Sequence, residues 1–507
     1  MPPETRGGAW WRGVPATLAL SAGAGAIAAL GQAPLLWEPA LFLGIAAAVW
    51  LWGQARTLAR AAWIGWGFGA GYFALALMWI VEPFLIEPER YGWMAPFALV
   101  FMAGGLALFW ALGFALAWRL AKRGVGGVLQ SALAFAGAMG AAELLRAYAF
   151  TGFPWAMLAH GLIGAWVAQG AAYVGVHGVQ LALVLTVALA VLARGWALRF
   201  GALLILAGAL LPLPGARSTP GADAPVIRLV QPNATQRLKW DPEMARVFYD
   251  RQIRFSAEGR AANLPRPDLV IWPETAVPIL LEDAGPMLAQ IGAAVGAPVL
   301  LGIQRFEGMR LMNSALVIGP DGAQRGLYDK HHLVPFGEYV PFGDLMAKFG
   351  IYGFAASEGQ GYSAGPGPLL LDLGPKIGRA LPLICYEAVF PQDVNAAPER
   401  PDLLVQITND GWFGEISGPY QHLVQARFRA IEQGLPMVRV ANTGVSAMID
   451  PQGRVTAEIG LNTAGWVDAA LSEPKGPTLY GRTGDWAIAA VVLLLLSAMF
   501  LRGRRLT

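Results

Sequence analysis

The chain has 507 residues, of which 55% are hydrophobic and only 14% are charged. This composition is more apolar than that of most soluble globular proteins and predicts a membrane protein. The net charge of +3 is too small to indicate a nucleic-acid partner, and a single cysteine excludes an internal disulfide and any metal site built on several cysteines.

Apolar runs dominate the first part of the chain and return at its end. A membrane-spanning helix needs roughly 20 apolar residues to cross about 30 Å of hydrocarbon. Eight runs approach this length, at residues 14–31, 35–53, 62–81, 94–118, 126–145, 165–193, 197–213 and 485–501. We therefore predict a polytopic helical membrane domain over residues 1–216 with seven transmembrane helices, and a C-terminal transmembrane helix and tail over residues 481–507.

The distribution of basic residues predicts the orientation, because Lys and Arg are retained on the cytoplasmic side. With a cytoplasmic N-terminus, the cytoplasmic segments hold Arg6, Arg12, Arg56, Arg60, Arg119, Lys122, Arg123, Arg194, Arg199, Arg502, Arg504 and Arg505. The short loops on the opposite side hold only Arg90 and Arg146. Seven spans then place residues 217–480 outside the cytoplasm, with both termini inside.

Residues 217–480 have the pattern of a soluble α/β domain, in which short β-rich runs alternate with turns and amphipathic stretches. The predicted strands are 226–231, 269–272, 298–304, 314–318, 381–385 and 403–408. Hairpin turns are predicted at 319–322 and 450–453, where Pro and Gly occupy turn positions. Helices are predicted near 287–295 and 425–433. Together these elements indicate a layered α/β sandwich.

The only cysteine, Cys385, ends the apolar run LPLIC and is followed by Tyr386 and Glu387. A lone cysteine is often just a small buried apolar residue. However, the end of a strand is also where α/β folds present reactive groups. A thiol with a pKa near 8.5 needs a base or a cation beside it to act as a nucleophile at neutral pH.

A carboxylate and an ammonium group also follow predicted strands. Glu274 comes after DLVIWP, and Lys330 follows the strand that returns from the turn at 319–322. Either residue alone is typical of a solvated surface charge. Their position after strands raises the alternative that Glu274, Lys330 and Cys385 converge at one site.

Several long motifs occur in a characteristic order. They are WPE at 272–274, YDKHHLVPFGEYVP at 328–341, CYE at 385–387, GFPW at 152–155, NDGWFG at 409–414, RFRAIE at 427–432 and NTGVS at 442–446. With the apolar runs, these motifs resemble the apolipoprotein N-acyltransferase family of the carbon–nitrogen hydrolase (nitrilase) superfamily. The resemblance implies an αββα sandwich in the periplasm, attached to a multi-pass domain in the bacterial inner membrane.

The resemblance also implies the site residues. Glu274 would be the general base, Lys330 the cation that stabilises the oxyanion, and Cys385 the nucleophile, with Glu338 as a supporting catalytic glutamate. Residues Trp240, Tyr386, Glu387 and Trp412 match positions that the family needs, which implies a substrate-binding or supporting role; a purely structural role in the core is the alternative for the two tryptophans.

The implied reaction is a ping-pong acyl transfer. Cys385 would take an acyl chain from a phospholipid, typically the sn-1 chain of phosphatidylethanolamine, and pass it to the α-amino group of a diacylglyceryl-cysteine on an apolipoprotein. The resemblance implies no metal and no cofactor, and a monomer that works in the lipid bilayer. The apolar segment 342–364 is predicted either to admit lipid or to be an ordinary surface loop.

Two other functions remain open on the sequence alone. A membrane-anchored nitrilase-type amidase would share the chemistry but discharge the thioester with water, and a transporter or scaffold would have an inactive outer domain.

The adjacent His331 and His332 lack further ligands at metal-binding spacing, which indicates that they pack against neighbouring residues. Glu143 and Arg146 lie three residues apart, which predicts mutual pairing on one helix face.

Overall fold

The computed structural model describes residues 13–122, 127–209, 211–212, 220–221, 223–259, 261, 264–341 and 361–504. The chain divides into two compact units. The first contains Met1–Pro214 and Asp485–Thr507, and the second contains Gly215–Gly484.

The first unit is built from helices. Its α-helices are α1 (Val14–Ala29), α2 (Glu38–Gly53), α3 (Leu58–Ala76), α4 (Pro88–Tyr91), α5 (Ala95–Lys122), α6 (Val128–Tyr148), α7 (Ala171–Leu192), α8 (Trp196–Ala209) and α14 (Trp486–Arg504). Shorter 3-10 helices are Met78–Leu85, Gly92–Met94, Leu158–Leu162 and Trp166–Gly170. A helix lies in each of the eight predicted apolar runs.

Three of the described helical stretches are long and apolar enough to cross a membrane: Pro88–Ala121, Val128–Tyr148 and Trp166–Leu192. A fourth candidate is the pair Leu58–Ala76 and Met78–Leu85, which bends by 46°. Other helices in the predicted runs, such as Val14–Ala29, are apolar but shorter. The first unit is thus an apolar helical region with three or four helices of spanning length, and the count of eight spans stays a prediction.

The predicted pair of Glu143 and Arg146 is confirmed inside this unit. Arg146 Nη2 lies 2.6 Å from Glu143 Oε2, and both side chains are almost completely buried. The other guanidinium nitrogen, Nη1, donates to the carbonyl oxygens of Phe153 and Trp155 at 2.5 and 2.8 Å. Trp110 Nε1 donates to Glu143 at 2.5 Å. The pair therefore connects α6 to the GFPW segment, and the hydrogen bonds satisfy the buried charges.

The second unit contains two six-stranded sheets. Its strands are β1 (Val226–Gln231), β2 (Leu269–Ile271), β3 (Val299–Glu307), β4 (Arg310–Ile318), β5 (Gln324–Asp329), β6 (Leu371–Asp372), β7 (Arg379–Ile384), β8 (Leu403–Thr408), β9 (Met437–Ala441), β10 (Ser446–Ile449), β11 (Val455–Ile459) and β12 (Gly465–Ala470). The sheet orders are β12-β1-β2-β3-β4-β5 and β11-β10-β9-β8-β7-β6. Each sheet has a parallel centre, β1-β2-β3 and β7-β8-β9, with antiparallel neighbours.

The predicted strands and both predicted hairpins are confirmed. The turn at 319–322 joins β4 to β5, and the turn at 450–453 joins β10 to β11. Gly322 and Gly453 each have φ +75°, a conformation that glycine adopts without strain. The predicted strand at 381–385 ends one residue early, because Cys385 itself leaves the extended conformation.

Helices cover the outer faces of the two sheets. These helices of the second unit are α9 (Pro242–Ala257), α10 (Gly285–Val295), α11 (Pro391–Asn395), α12 (Gly418–Gln433) and α13 (Leu479–Thr483). Tyr249 and Ile291 belong to the core of the first sheet, and Ala426 and Ala430 to that of the second. The sheets face each other, where Ser446 Oγ donates to Gln231 Oε1 at 2.5 Å. The layers are therefore helix, sheet, sheet and helix.

Candidate active site

Glu274 is fixed just beyond the carboxyl end of β2. Its Oε1 accepts a hydrogen bond from Asn313 Nδ2 at 2.7 Å, and its Oε2 accepts one from the backbone N–H of Asn409 at 2.8 Å. A Cβ atom on Gly302 of β3 would lie 2.4 Å from the Thr275 nitrogen, so only glycine lets this loop lie so close to the strand. The carboxylate is thus held in one orientation by two donors.

Lys330 lies between two carboxylates. Its Nζ is 2.7 Å from Glu338 Oε1 and 3.7 Å from Glu274 Oε1, and its side chain is only 1% exposed. Burial by itself disfavours the ammonium form, but the charges of Glu338, Glu274 and Cys385 outweigh burial and raise the pKa of Lys330. This lysine therefore stays positively charged throughout the physiological pH range.

Glu338 holds the lysine from the other side. Its Oε2 accepts a hydrogen bond from the backbone N–H of Val334 at 2.8 Å, and its Oε1 receives the Lys330 ammonium. Burial raises the pKa of Glu338, Lys330 opposes that effect, and the nearby charge of Glu274 adds to it. Glu274 and Glu338 thus share the single Lys330 ammonium, and each carboxylate disfavours the ionised form of the other.

Cys385 follows β7 and is the first residue of a 3-10 helix, Cys385–Val389. It has φ +51°, which is strained for a residue with a side chain. The residue is 5% exposed. Burial raises the pKa of its thiol, the Glu274 carboxylate raises it further, and Lys330 opposes both. The thiol is therefore protonated at rest and needs a base during any reaction in which its sulfur attacks.

Lys239 is a buried second lysine that the sequence analysis missed. Its Nζ donates to the carbonyl oxygen of Glu274 at 3.1 Å and to Thr275 Oγ1 at 2.5 Å. Burial lowers its pKa to about 8 even though the charges of Glu274 and Cys385 favour the ammonium form. The only signal in the sequence is a lysine directly before Trp240.

Trp240 and Lys239 line a cleft that Glu274 also lines, together with apolar side chains that include Phe248 and Pro278. Trp240 is 47% exposed, and the Lys239 ammonium lies 5.5 Å from the centre of its ring. A tryptophan that is this exposed, in the cleft that Glu274 lines, is available to contact a ligand and does not form part of the core.

Tyr386 and Trp412 occupy different surroundings. The buried ring of Tyr386 meets His332 and Phe390 edge-on, with ring centres 5.6 and 4.8 Å apart. Trp412 is half-buried and ends the 3-10 turn Asp410–Trp412. Tyr386 is attached directly to the candidate nucleophile, so its ring position helps to fix the start of the 3-10 helix.

Glu387 is completely buried. It accepts hydrogen bonds from the segment around Lys330 and from the end of β7 before Cys385. Its Oε1 accepts hydrogen bonds from the Tyr328 hydroxyl at 2.6 Å and the His331 backbone N–H at 2.8 Å. Its Oε2 accepts one from the backbone N–H of Ile384 at 2.7 Å. These contacts link the end of β7 to the segment after β5, so this glutamate positions Cys385 and Lys330 relative to each other.

Replacement of Glu387 with glutamine is expected to lower the free energy of unfolding by about 1–3 kcal/mol, because an amide NH2 would face one of these buried donors. The unfolding midpoint of the full chain in detergent measures the change. Glu473→Gln, at an exposed glutamate, is the matched control and should leave the midpoint unchanged. An equal midpoint for both variants would contradict the positioning role.

Most of the predicted gating segment, residues 342–360 of 342–364, lies outside the described residues. The part that is described returns to the site, where the Tyr362 N–H donates to the Glu338 carbonyl oxygen at 2.8 Å.

The site thus brings Glu274, Lys330 and Glu338 into direct contact, and places the Cys385 thiol where it experiences the charges of Glu274 and Lys330. Asn313, which orients Glu274, was also missed by the sequence analysis; its signal is one amide within the buried run of β4. A base, a fixed cation and a buried thiol together are suited to covalent acyl chemistry.

Two family profiles match the chain. The Carbon-nitrogen hydrolase profile matches residues 246–474, and the Apolipoprotein N-acyltransferase N-terminal domain profile matches residues 24–189. Among solved structures, an amidase from Nesterenkonia sp. is 19% identical, with a TM-score of 0.38 over 55% of this chain and 99% of that chain.

Full-length relatives are more similar. The Apolipoprotein N-acyltransferase of Rhodopseudomonas palustris is 38% identical, with 98% of this chain and 96% of that protein covered. The protein of the same name from Brucella melitensis is 37% identical, with 94% of this chain and 93% of that protein covered. At this identity over nearly the whole length of both proteins, the chain belongs to the apolipoprotein N-acyltransferase family.

Proposed function

We propose that this protein transfers a fatty acyl chain from a phospholipid to the α-amino group of the diacylglyceryl-cysteine that begins an apolipoprotein. The family membership supports lipoprotein N-acylation as the overall reaction. The observation that carries the mechanism is the meeting of Glu274 and Lys330 beside the Cys385 thiol. The donor we propose is the sn-1 chain of phosphatidylethanolamine.

In the first step, Glu274 accepts the thiol proton of Cys385, and the sulfur attacks the ester carbonyl carbon of the phospholipid. The C–S bond forms, and the carbonyl oxygen becomes an oxyanion that the Lys330 ammonium stabilises. Collapse breaks the ester C–O bond, and the protonated Glu274 returns its proton to the leaving alkoxide. The products are a thioester on Cys385 and a lysophospholipid.

In the second step, the α-amino group of the apolipoprotein attacks the thioester carbon. Glu274 accepts a proton from the attacking nitrogen, and Lys330 again stabilises the oxyanion. The C–S bond breaks when this second tetrahedral intermediate collapses, and the proton on Glu274 restores the Cys385 thiol. The product is an amide, so the lipoprotein leaves with a third acyl chain and the enzyme is regenerated.

The supporting residues have separate proposed roles. Glu338 keeps Lys330 charged and fixed, since it lies 2.7 Å from the ammonium. Trp240 contacts substrate from the exposed side of the cleft, and Trp412 supports substrate binding. Glu387 and Tyr386 act on the position of Cys385 rather than on the reacting atoms.

We propose an inner-membrane location for the protein, as a monomer with eight spans, both termini in the cytoplasm and the catalytic domain in the periplasm. The proposed division is residues 1–216 for the membrane domain, 217–480 for the catalytic domain and 481–507 for the last span and its tail. The excess of basic residues in the predicted cytoplasmic segments supports this orientation. A site on the periplasmic side would have both proposed substrates available in the membrane.

Intact-mass analysis tests the proposal. The purified full chain, incubated with phosphatidylethanolamine in detergent micelles, is expected to gain the mass of one acyl chain, and hydroxylamine should remove it as expected for a thioester. A diacylated lipopeptide should then take up the chain and become triacylated. Loss of the adduct to water at the same rate without lipopeptide would favour an amidase-like hydrolase, and a wild-type protein that never gains the adduct would favour an inactive scaffold.

Lys239 is expected to make activity depend on pH. Its pKa of about 8 means that the ammonium form, whose charge favours the anionic forms of Glu274 and Cys385, dominates below pH 8 and is lost above it. The rate at which the wild type forms the acyl adduct from phosphatidylethanolamine should therefore decline as pH rises through about 8. In Lys239→Arg, which keeps its charge, this decline should be absent between pH 7 and 10. The same decline in both proteins would contradict the assignment.

A further inference from the structure

The cleft that contains Trp240 also holds a buried glutamine that the mechanism above does not use. One face of α9 supplies Ala245, Phe248 and Gln252 to its lining, at the intervals of three and four residues that place side chains on one side of a helix. Phe248 and Trp240 are apolar, whereas Gln252 and Lys239 are polar. The few polar groups in such a cleft orient its ligand, so their contacts indicate what the cleft binds.

Gln252 has a buried acceptor atom without a partner. The residue is 1% exposed, and its Nε2 donates to the carbonyl oxygen of Ala276 at 3.1 Å. A carbonyl oxygen only accepts, so this contact fixes which end of the side chain is the NH2 group. The other end, Oε1, is buried and has no hydrogen-bond partner among the described residues. Leaving such an atom unpartnered is unfavourable, so the cleft favours a ligand that brings a donor.

Other polar side chains around the cleft already have partners. Asn442 Nδ2 donates to the Ala234 carbonyl oxygen at 2.7 Å, and its Oδ1 accepts from the Ala234 N–H at 2.9 Å. Thr275 Oγ1 accepts from Lys239, and both carboxylate oxygens of Glu274 accept hydrogen bonds as described above. Within the described lining, the Gln252 oxygen is therefore the acceptor that a ligand would complete.

Lys239 offers a donor in the same cleft. Its ammonium has three N–H groups, and the described residues provide two acceptors, the Glu274 carbonyl oxygen and Thr275 Oγ1. This leaves one N–H for a ligand. A ligand that fits both side chains therefore carries a donor for the neutral Gln252 oxygen and an acceptor for the Lys239 ammonium.

A peptide group meets both requirements better than any part of a phospholipid. An acyl chain would leave the Gln252 oxygen without a donor and would place hydrocarbon against the Lys239 ammonium. An ethanolamine headgroup has a phosphate that suits Lys239, but its ammonium would share the cleft with a like charge and would pair with a neutral amide instead of a carboxylate. A peptide group is neutral and has one N–H donor and one carbonyl acceptor.

The acceptor polypeptide comes to this place in the second step of the proposed reaction. Glu274, which lines the cleft, takes a proton from the attacking α-amino group, so that nitrogen lies within hydrogen-bond reach of the carboxylate. The next backbone nitrogen follows after two carbon atoms and is less than about 4 Å away. The first peptide groups of the acceptor therefore lie in the surroundings of Glu274.

We propose that this cleft binds the start of the acceptor polypeptide. Gln252 Oε1 accepts a backbone N–H from one of the first two residues after the diacylglyceryl-cysteine, and Lys239 donates to a backbone carbonyl oxygen. The inference rests on the proposed acyl-transfer function and assigns recognition of the acceptor to α9, a helix that carries none of the proposed catalytic residues. Because the contact is to backbone atoms, it does not depend on the side chains of the acceptor.

N-methylated lipopeptides test the contact without a change in the protein. A methyl group on the amide nitrogen of the second or the third residue removes one N–H in each case. Wild type that carries an acyl chain from phosphatidylethanolamine should be discharged about 5- to 100-fold more slowly by one of these two than by the unmodified diacylated lipopeptide, as expected for one hydrogen bond to a buried acceptor. A lipopeptide methylated at its fifth residue is the control and should act at the unmodified rate.

Gln252→Leu, which cannot accept a hydrogen bond, separates recognition from folding. It should form the acyl adduct at close to the wild-type rate, because the contact is made only in the second step. Discharge by the unmodified lipopeptide should slow by about 5- to 100-fold, and the methyl group that slows the wild type should slow this variant little further. The matched control is Gln425→Leu, since Gln425 is also completely buried with unpartnered side-chain atoms but lies outside the cleft lining. This control should behave like the wild type with every lipopeptide.

Three results would overturn the inference. They are equal discharge of the wild type by all the lipopeptides, the same penalty for N-methylation in Gln252→Leu as in the wild type, and slower adduct formation in a folded Gln252→Leu, which would assign the cleft to the lipid donor. If this variant does not fold, the comparison of lipopeptides on the wild type decides by itself. Failure of the proposed function gives a different result, since the wild type would then form no acyl adduct for any lipopeptide to discharge.

Discussion

Cys385→Ala is expected to lower the rate of lipopeptide N-acylation by roughly 10⁴- to 10⁶-fold, the range seen when a covalent nucleophile is removed. The reason is that the proposed thioester cannot form, and direct attack of the amine on a phospholipid ester would lack the two-step route. The mass of the variant should stay unchanged after incubation with phosphatidylethanolamine, whereas the wild type should gain one acyl chain.

The fold should tolerate this change, because only a sulfur atom is lost from a position whose neighbours hold the backbone. The unfolding midpoint of Cys385→Ala in detergent is therefore expected to match that of the wild type within a few degrees, about 1 kcal/mol or less. A folded Cys385→Ala protein that keeps more than about one hundredth of the wild-type rate would contradict covalent catalysis by this residue.

Lys330→Met is expected to produce the second largest effect, since it removes a charge that serves both stability and catalysis. The buried carboxylates of Glu274 and Glu338 would lose their shared cation, and breaking such a buried pair costs about 3–5 kcal/mol. Loss of an oxyanion donor should also slow acylation of Cys385 by at least about 10²- to 10³-fold. Unfolding in detergent and the rate of adduct formation measure the two effects separately.

A double variant keeps this prediction testable if the single variant unfolds. Lys330→Met with Glu338→Gln removes both members of the 2.7 Å pair, so only Glu274 still lacks the cation and the variant should regain part of the stability. It should not regain activity. Lys376→Met is the matched control, because Lys376 forms an exposed ion pair with Asp268 that contributes little. Activity in the double variant would show that Lys330 acts only in folding.

Strand positions in the catalytic domain could be predicted because they follow from local features of the sequence. The runs at 226–231 and 403–408 are rich in Val, Leu and Ile, and their ends coincide with those of β1 and β8. The turns after β4 and β10 were predictable because Pro fixes φ and Gly adopts positive φ without strain, and neither property depends on the rest of the fold. The pairing of β1 with β12, more than 230 residues away, was missed because no local pattern encodes it.

The membrane region shows a similar division. Apolar composition predicted helices, and a helix lies in each predicted run. Their exact ends were not predictable, because turns such as Met78–Leu85 depend on packing between helices rather than on hydropathy. The spacing of Glu143 and Arg146 did predict their pairing, since residues three apart share one helix face.

By itself, the sequence determined the apolar helical region, the α/β domain and the likeness to a family. It also identified Glu274, Lys330 and Cys385 as candidates. These results depend on residue type, on the periodicity of apolar residues and on the order of motifs along the chain. Only the tertiary structure decided which groups surround these three residues. The contacts of Lys239 and Asn313 with Glu274, of Tyr328 with Glu387 and of Gln406 with the Cys385 carbonyl all join segments that are distant in the chain. Such contacts depend on which strands lie side by side in each sheet and on how the two sheets pack face to face, which no local pattern of residues specifies.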